Sequence, residues 1–96
     1  ENIELNNIHN ISVFHSSFEI MENKKFDIIL ANITRNILVE NIKRLIKSLN
    51  PNGILIASGF YSDDIEIIRK NAESTGLTFV GSRTKNNWSI TTFIHK

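Results

Sequence analysis

The chain has 96 residues, enough for one domain, because single domains typically run to roughly 100–200 residues. Its content of 41% hydrophobic and 22% charged residues indicates a folded globular domain with a small core and excludes a disordered tail. Eleven Lys and Arg against ten Asp and Glu leave a net charge of +1, so net charge does not drive binding to nucleic acid or to an anionic membrane.

Cysteine and long apolar stretches are both missing from the sequence. The absence of Cys excludes disulfides, thiolate zinc sites and Cys nucleophiles, and suits a reducing cytoplasm. No apolar run approaches the ~18 residues of a membrane span, and the N-terminal residues do not resemble a signal peptide. We therefore expect a cytoplasmic protein without a membrane partner. Because the chain begins with Glu1 and not with Met, we also expect it to lie inside a longer reading frame.

Two strands are predicted in the first third of the chain. Residues 1–7 suggest the last turns of a helix, and the β-branched run Ile11–Phe14 predicts a strand of about four residues. Phe26–Ala31 is almost continuously apolar, which is typical of a strand covered on both faces in a parallel sheet.

Apolar residues at helical spacing predict an amphipathic helix that follows this strand. It begins near Thr34–Asn36, where side-chain oxygens can cap the first turn, and reaches Leu49 before Pro51 ends it. Residues 50–53 predict a turn, and the apolar run 54–58, closed by Gly59, predicts another buried strand.

A second helix is predicted to open at residues 62–64. Acidic residues suit the first turn of a helix, and Asp63 with Glu66 matches a capping box. Gly76 stands where a C-terminal cap belongs.

The remaining residues predict an antiparallel hairpin, with strands at 78–84 and 88–95 separated by a short turn at 85–87. The whole order of elements indicates an α/β fold with a largely parallel sheet and an antiparallel edge.

Ligands bind beyond the carboxyl ends of the strands in open α/β sheets, which directs attention to residues 15–17, 32–35 and 59–61. Asn32 is the leading candidate, because its amide offers two donors and an acceptor at the end of a buried strand. The alternative is a strand-ending Asn that bonds its own backbone. Thr34 and Arg35 are interpreted most simply as a cap and a solvated charge.

The other rim residues have structural interpretations beside the functional ones. Gly59 permits either close approach to a ligand or a turn angle, and Phe60 and Tyr61 either wall a pocket or pack. Trp88 is expected to pack on the sheet. The three His have no metal-type spacing, and no phosphate loop, nucleophile elbow or paired-carboxylate motif occurs, so neither a metal site nor a catalytic residue is predicted.

Residues 26–33, the helix after them, the turn at 50–53 and residues 58–61 together resemble class I S-adenosylmethionine-dependent methyltransferases. Within that class they resemble the later half of the ribosomal protein L11 methyltransferase family. Residues 1–7 and 86–88 extend the resemblance to nearly the whole chain. It implies that residues 1–96 are the C-terminal portion of a catalytic domain. The implied sheet is a partial Rossmann-like one that holds the later strands, mostly parallel, with a C-terminal hairpin and without the first two strands.

The resemblance also implies a function. Members of the family transfer methyl groups from S-adenosyl-L-methionine to amines of a large-subunit ribosomal protein, on Lys side chains and the N-terminus. Asn32 matches the family's position at the end of the fourth strand, which lies against the cofactor, so the resemblance assigns Asn32 to cofactor binding.

The sequence departs from the family's pattern in several cofactor contacts. His15–Ser17 stands where the family usually carries an acid that contacts adenine, and the Gly-rich loop and the ribose-binding acid would precede Glu1. We therefore expect the isolated chain to be inactive and to bind the cofactor weakly or not at all. Without the first strand, Phe26–Ala31 is expected to be an exposed edge through which the chain dimerises.

Two alternatives remain open at this stage. One is a class I methyltransferase that acts on RNA or on a small molecule, since target choice depends mainly on segments outside this chain. The other is a non-catalytic α/β interaction module whose partner pairs with the exposed edge.

Overall fold

A computed structural model of the chain describes residues 11–14 and 25–96. The strands are β1 (Ile11–Phe14), β2 (Phe26–Asn32), β3 (Leu49–Tyr61), β4 (Thr78–Lys85) and β5 (Trp88–His95), and the α-helices are α1 (Arg35–Lys47) and α2 (Ile65–Ser74). The helix predicted at residues 1–7 and the candidate positions 15–17 lie outside the described residues. No helix in the described part is long and apolar enough to cross a membrane.

The strands form one sheet in the order β1-β2-β3-β5-β4. β1, β2 and β3 run parallel, while β5 is antiparallel to both β3 and β4. The predicted α/β fold, with parallel strands and an antiparallel hairpin at the margin, is confirmed.

The prediction that Phe26–Ala31 is an exposed edge is wrong. β2 pairs with β1 on one side, from Ile28 opposite Ile11 to Ala31 opposite Phe14, and with β3 on the other side. The physical reason is that β1 forms backbone hydrogen bonds with β2 directly. The family resemblance implies that another strand would pair with β2 at this edge. The expected dimer through this strand loses its basis, because that edge is already paired.

Helix α1 begins as the sequence predicts. Thr34 is its N-cap, and its Oγ1 accepts a hydrogen bond of 3.5 Å from the Ile37 N–H. The helix ends at Lys47, two residues before the predicted end at Leu49. It stops there because Leu49 already pairs with Phe26 in the sheet.

Strand β3 is longer than predicted at both ends. Phe26 pairs with Leu49 and Ile28 with Ile54, so residues 50–53, the predicted turn, form an irregularity inside the strand. At its other end the strand continues beyond Gly59 to Tyr61, which pairs with Trp88 of β5. Pairing with a distant strand thus extends β3 where local sequence indicates its end.

Helix α2 is preceded by a single 3₁₀ turn at Ser62–Asp64. The predicted capping box does not form: the N-cap residue is Asp64, which makes no side-chain cap hydrogen bond. The C-terminal prediction is confirmed, because Gly76 adopts φ 108° and its N–H bonds the Glu73 carbonyl at 3.2 Å, while the Leu77 N–H bonds the Ala72 carbonyl at 3.0 Å. This is a Schellman arrangement.

The hairpin turn consists of Asn86 and Asn87 alone, since Lys85 already pairs with Trp88. Both Asn residues have positive φ, 52° and 71°, as a two-residue type I′ turn requires.

Both described helices pack on one face of the sheet, which we call the helix face. The core there joins residues of α1, α2 and the central strands, all less than 5% exposed: Leu38, Ile42 and Leu45; Ile68 and Ala72; Ile29, Ala31, Leu55, Ala57 and Phe93. Because successive side chains of a strand point to opposite faces, Leu30, Ile56 and Ile90 lie on the other face, which we call the distal face.

Candidate functional site

Asn32 is the last residue of β2, at the rim where the parallel strands end, and it is paired with Ser58 of β3. Its side chain lies on the distal face, because the residues before and after it, Ala31 and Ile33, are buried in the core of the helix face. The Ile33 N–H bonds the Ser58 carbonyl at 2.8 Å and continues the ladder by one residue. A rigid sheet therefore holds Asn32 while the side chain itself remains exposed.

The Asn32 carboxamide has one hydrogen bond to a described residue: Oδ1 accepts from Ser58 Oγ at 3.5 Å. The alternative interpretation, a bond to its own backbone, is not what the structure contains. Among residues 11–14 and 25–96, the Nδ2 group has no partner. Two N–H donors are thus available to an acceptor group of a ligand.

Gly59 fits closely against this carboxamide. Its φ is +98°, and a Cβ added there would lie 2.6 Å from Asn32 Oδ1 and 2.9 Å from the Ile33 carbonyl oxygen. The sequence alone is compatible with two roles for Gly59, a turn angle or close approach to a ligand. The structure shows the positive φ together with a close approach to the Asn32–Ile33 segment.

Beside Asn32, the first turn of α1 meets the 3₁₀ turn that precedes α2. Arg35 Nη1 lies 3.1 Å from Asp64 Oδ1, with side chains that are 38% and 21% exposed. These two residues, with Thr34 and Asn36, line a shallow depression of about 190 Å³. The interpretation of Thr34 as a cap is confirmed, whereas Arg35 is not simply a solvated charge. Sequence reasoning missed the ion pair because its members are 29 residues apart.

The rim aromatics divide between the two faces. Phe60 is 2% exposed and packs in the core, so the packing interpretation is correct for it. Tyr61 and Trp88 lie on the distal face, more than half exposed, with ring centroids 5.2 Å apart in a stacked arrangement. Trp88 therefore packs chiefly on Tyr61 at the edge of the rim.

Of the three His, only His95 lies among the described residues, and it is not at this rim. His95 lies at the opposite end of the sheet, where it pairs with Gly53, while His9 and His15 fall outside the described residues. Within the described ranges, no group of three or more His, Asp or Glu is placed to hold a metal ion. The rim offers neutral hydrogen-bond donors on a fixed backbone, a chemistry suited to binding and orienting a ligand.

Residues 1–96 match the model of the family described as "Ribosomal protein L11 methyltransferase (PrmA)". The chain is 44% identical over 97 residues to the ribosomal protein L11 methyltransferase of Phocaeicola vulgatus, and the alignment covers 100% of this chain and 34% of that protein. The chain therefore spans about a third of the length of the curated relatives it matches.

Solved structures agree with the sequence comparison. The ribosomal protein L11 methylase of Lactobacillus delbrueckii subsp. bulgaricus superposes with a TM-score of 0.73 at 27% identity, over 78% of this chain and 39% of that one. The M1.HpyAVI–SAM complex superposes with a TM-score of 0.67 at 23% identity, over 90% and 55%, which shows the fold alone. The expected Rossmann-like methyltransferase fold is thereby confirmed. With a family match over every residue and 44% identity to a named member, this chain belongs to the ribosomal protein L11 methyltransferase family.

Proposed function

We propose that residues 1–96 form the C-terminal portion of a methyltransferase catalytic domain that transfers methyl groups from S-adenosyl-L-methionine to amines of ribosomal protein L11. The expected acceptors are Lys side chains and the N-terminal amine, and the expected compartment is the cytoplasm. Family membership supports the reaction class. The main support for the site is the position of the Asn32 carboxamide at the carboxyl end of a parallel strand. Its N–H donors have no partner among the described residues.

The donor set at the rim fits part of such a cofactor, whose carboxylate, ribose and adenine all present hydrogen-bond acceptors. When bound, the cofactor supplies an electrophilic methyl group on a sulfonium sulfur. Asn32 would donate from Nδ2 to the bound molecule, with Ser58 Oγ holding the other end of the carboxamide. Of the described residues, we assign only Asn32 to cofactor binding. The Gly-rich loop and the ribose-binding acid that the resemblance implies would belong to the part of the protein that this chain does not span.

Positioning is the main contribution expected from these residues. Methyl transfer needs a neutral amine held in line with the sulfonium methyl, and a fixed dipole does not have to reorient as the charge moves from sulfur to nitrogen. Asn32 meets that requirement because Gly59 and the Ile33 hydrogen bond restrict the backbone on which it stands.

The test uses a hybrid enzyme, in which residues 1–96 replace the matched segment of the P. vulgatus relative. We expect the hybrid to transfer labelled methyl groups to purified ribosomal protein L11, and Asn32→Ala to lower kcat/KM by about tenfold or more, the effect of losing one hydrogen bond to a charged or polar ligand group.

Asn50→Ala is the matched control, because Asn50 bonds Asp27 at the opposite end of β2 and β3. It should leave kcat/KM nearly unchanged. A folded hybrid without methyl transfer would contradict the proposed reaction. Equal activity of the Asn32→Ala variant and the unsubstituted hybrid would contradict the role of Asn32.

A further inference from the structure

Two segments leave the sheet at the rim beside Asn32, and an ion pair joins them. Residues 33–34 lead from β2 into α1, and residues 62–64 lead from β3 into α2. Arg35 Nη1 donates to Asp64 Oδ1 at 3.1 Å, between residues 29 positions apart in the sequence. The starts of the two helices are therefore held together by side chains in addition to the sheet.

The guanidinium group of Arg35 is held at all three of its nitrogens. Nη1 bonds Asp64, while Nε and Nη2 both lie 3.3 Å from Oδ1 of Asn36. A planar guanidinium that is bonded on two sides has less freedom to turn than a single ammonium group has. The ion pair therefore sets a defined distance between the two helix starts.

Both members of the pair depart from the preferences of their own helices. Arg35 is the first residue of α1, whose first turn has no acidic residue, although the N-terminus of a helix favours negative charge. Asp64 is the N-cap of α2, where a carboxylate commonly accepts a backbone N–H, yet its side chain makes no such bond. Residues that break local rules in this way are expected at functional sites or where a tertiary contact compensates. Here the compensating contact joins two segments of the rim.

The turn from β2 into α1 has a second contact with the β3 side of the rim. The Ile33 N–H bonds the Ser58 carbonyl at 2.8 Å, and two residues later Arg35 bonds Asp64. Gly59 follows Ser58 and lies so close to Asn32 that an added Cβ would be 2.6 Å from Oδ1. Loss of the ion pair would therefore leave the Ile33 hydrogen bond to resist movement of the turn that follows Asn32.

We propose that Arg35 is a positioning residue for the ligand site at Asn32. Its ion pair with Asp64 fixes the turn from β2 into α1 against the segment after β3, so that the Asn32 carboxamide keeps the direction in which its N–H groups meet the ligand. Arg35 acts through Asn32 and does not itself contact the ligand. This inference rests on the proposed role of Asn32 in cofactor binding.

The test is a double-mutant cycle in the hybrid enzyme, read as kcat/KM for S-adenosyl-L-methionine. Arg35→Ala and Asp64→Ala should each lower kcat/KM about threefold at low salt, the size expected of a partly exposed ion pair, and the two changes together should cost no more than either alone. In the Asn32→Ala background, Arg35→Ala should have no further effect, because the group that it positions is gone. Glu73→Ala, which removes the ion pair with Arg69 on α2, is the control and should leave kcat/KM unchanged.

Salt provides a readout that a merely structural role would not move. Because the Arg35–Asp64 pair is partly exposed, added salt screens it. The ratio of kcat/KM between the unsubstituted hybrid and the Arg35→Ala hybrid should fall from about three at low salt to about one at high salt.

Hydrogen exchange in the chain alone tests the contact without any ligand. The Ile33 amide should exchange about two to three times faster in Arg35→Ala and in Asp64→Ala than in the unsubstituted chain, and Glu73→Ala should not change its rate.

Unchanged exchange at Ile33 in the Arg35→Ala chain overturns the proposal, because the ion pair would then not hold the turn. An equal loss of kcat/KM from Arg35→Ala with and without Asn32 also overturns it, because Arg35 would then act independently of the carboxamide. A folded hybrid that transfers no methyl groups overturns the proposed function and, with it, the role of Arg35 at that site. Failure of the positioning role alone is recognised by an active hybrid in which either of the first two results is found.

Discussion

At the scale of single residues, the rim depends on a glycine that faces the Asn32 carboxamide. Gly59 combines a φ of +98° with a Cβ position only 2.6 Å from Asn32 Oδ1. Gly76 has a similar φ of +108°, but a Cβ there would meet no heavy atom within 4 Å. Substitutions at the two glycines therefore separate two contributions to the free energy of unfolding, backbone strain at positive φ and collision of the new Cβ with its neighbours.

We predict that Gly76→Ala lowers the free energy of unfolding by about 1 kcal/mol, the strain of Ala at positive φ. Gly59→Ala should cost roughly 3 kcal/mol, because the collision with Asn32 and Ile33 adds to the same strain. Urea denaturation followed by the emission of the single Trp checks both values. Equal costs for the two variants would mean that Gly59 supplies a turn angle and nothing more.

At the scale of elements, an ion pair between Arg35 and Asp64 joins the start of α1 to the 3₁₀ turn. Arg35 and Asp64 are both partly exposed, so solvent screens their attraction. A double-mutant cycle with Arg35→Ala and Asp64→Ala should give a coupling of about 0.5 kcal/mol at low salt, falling towards zero at high salt.

The pair Arg69–Glu73 provides the comparison, because it is more exposed and lies within α2. Its coupling should be no larger than that of Arg35 and Asp64. A coupling of zero between Arg35 and Asp64 at low salt would show that the ion pair does not hold the two elements together.

In the hairpin turn, unlike at the two glycines, we predict a substitution that raises the free energy of unfolding. Asn87 has φ 71° at the second turn position, where type I′ turns prefer Gly. Asn87→Gly should therefore stabilise the protein by about 0.5 kcal/mol, measured as an increase in the urea midpoint. Asn36→Gly, inside the first turn of α1, should destabilise it by up to about 1 kcal/mol. A decrease in stability for Asn87→Gly would contradict the type I′ assignment.

Local patterns predicted the ends of two helices correctly, although they also predicted a capping box at Asp63 and Glu66 that does not form. The cap at Thr34, the helix after it and the Schellman end at Gly76 all follow from residues within one or two turns. The extension of β3 through Gly59 to Tyr61 follows instead from pairing with Trp88, a contact 27 residues away that spacing does not reveal. Residue spacing likewise does not reveal the ion pair between Arg35 and Asp64 or the shallow depression that they line.

At the scale of the whole molecule, the resemblance predicted the family and the fold, but it predicted the neighbours of β2 incorrectly. Neighbour relations in a sheet depend on which strands are present, and here β1 pairs directly with β2. The position of Asn32 at the rim was predictable, because an apolar strand ending in a polar residue places that residue at the carboxyl edge. The fit of Gly59 against it required the structure.

In the proposed function, the cofactor is held by contacts from several strands, and Asn32 is the candidate contact that this chain carries. We therefore predict that the chain alone shows no micromolar binding of S-adenosyl-L-methionine. We predict that the hybrid enzyme, which adds the rest of the P. vulgatus relative to this chain, does bind the cofactor.

Calorimetric titration with S-adenosyl-L-methionine tests the central claim, that Asn32 lies at the cofactor site of the complete enzyme, most directly. The hybrid should bind the cofactor, Asn32→Ala should weaken that binding about tenfold, and Asn50→Ala should not change it. Micromolar binding by the chain alone, or full affinity in the Asn32→Ala hybrid, would contradict this account.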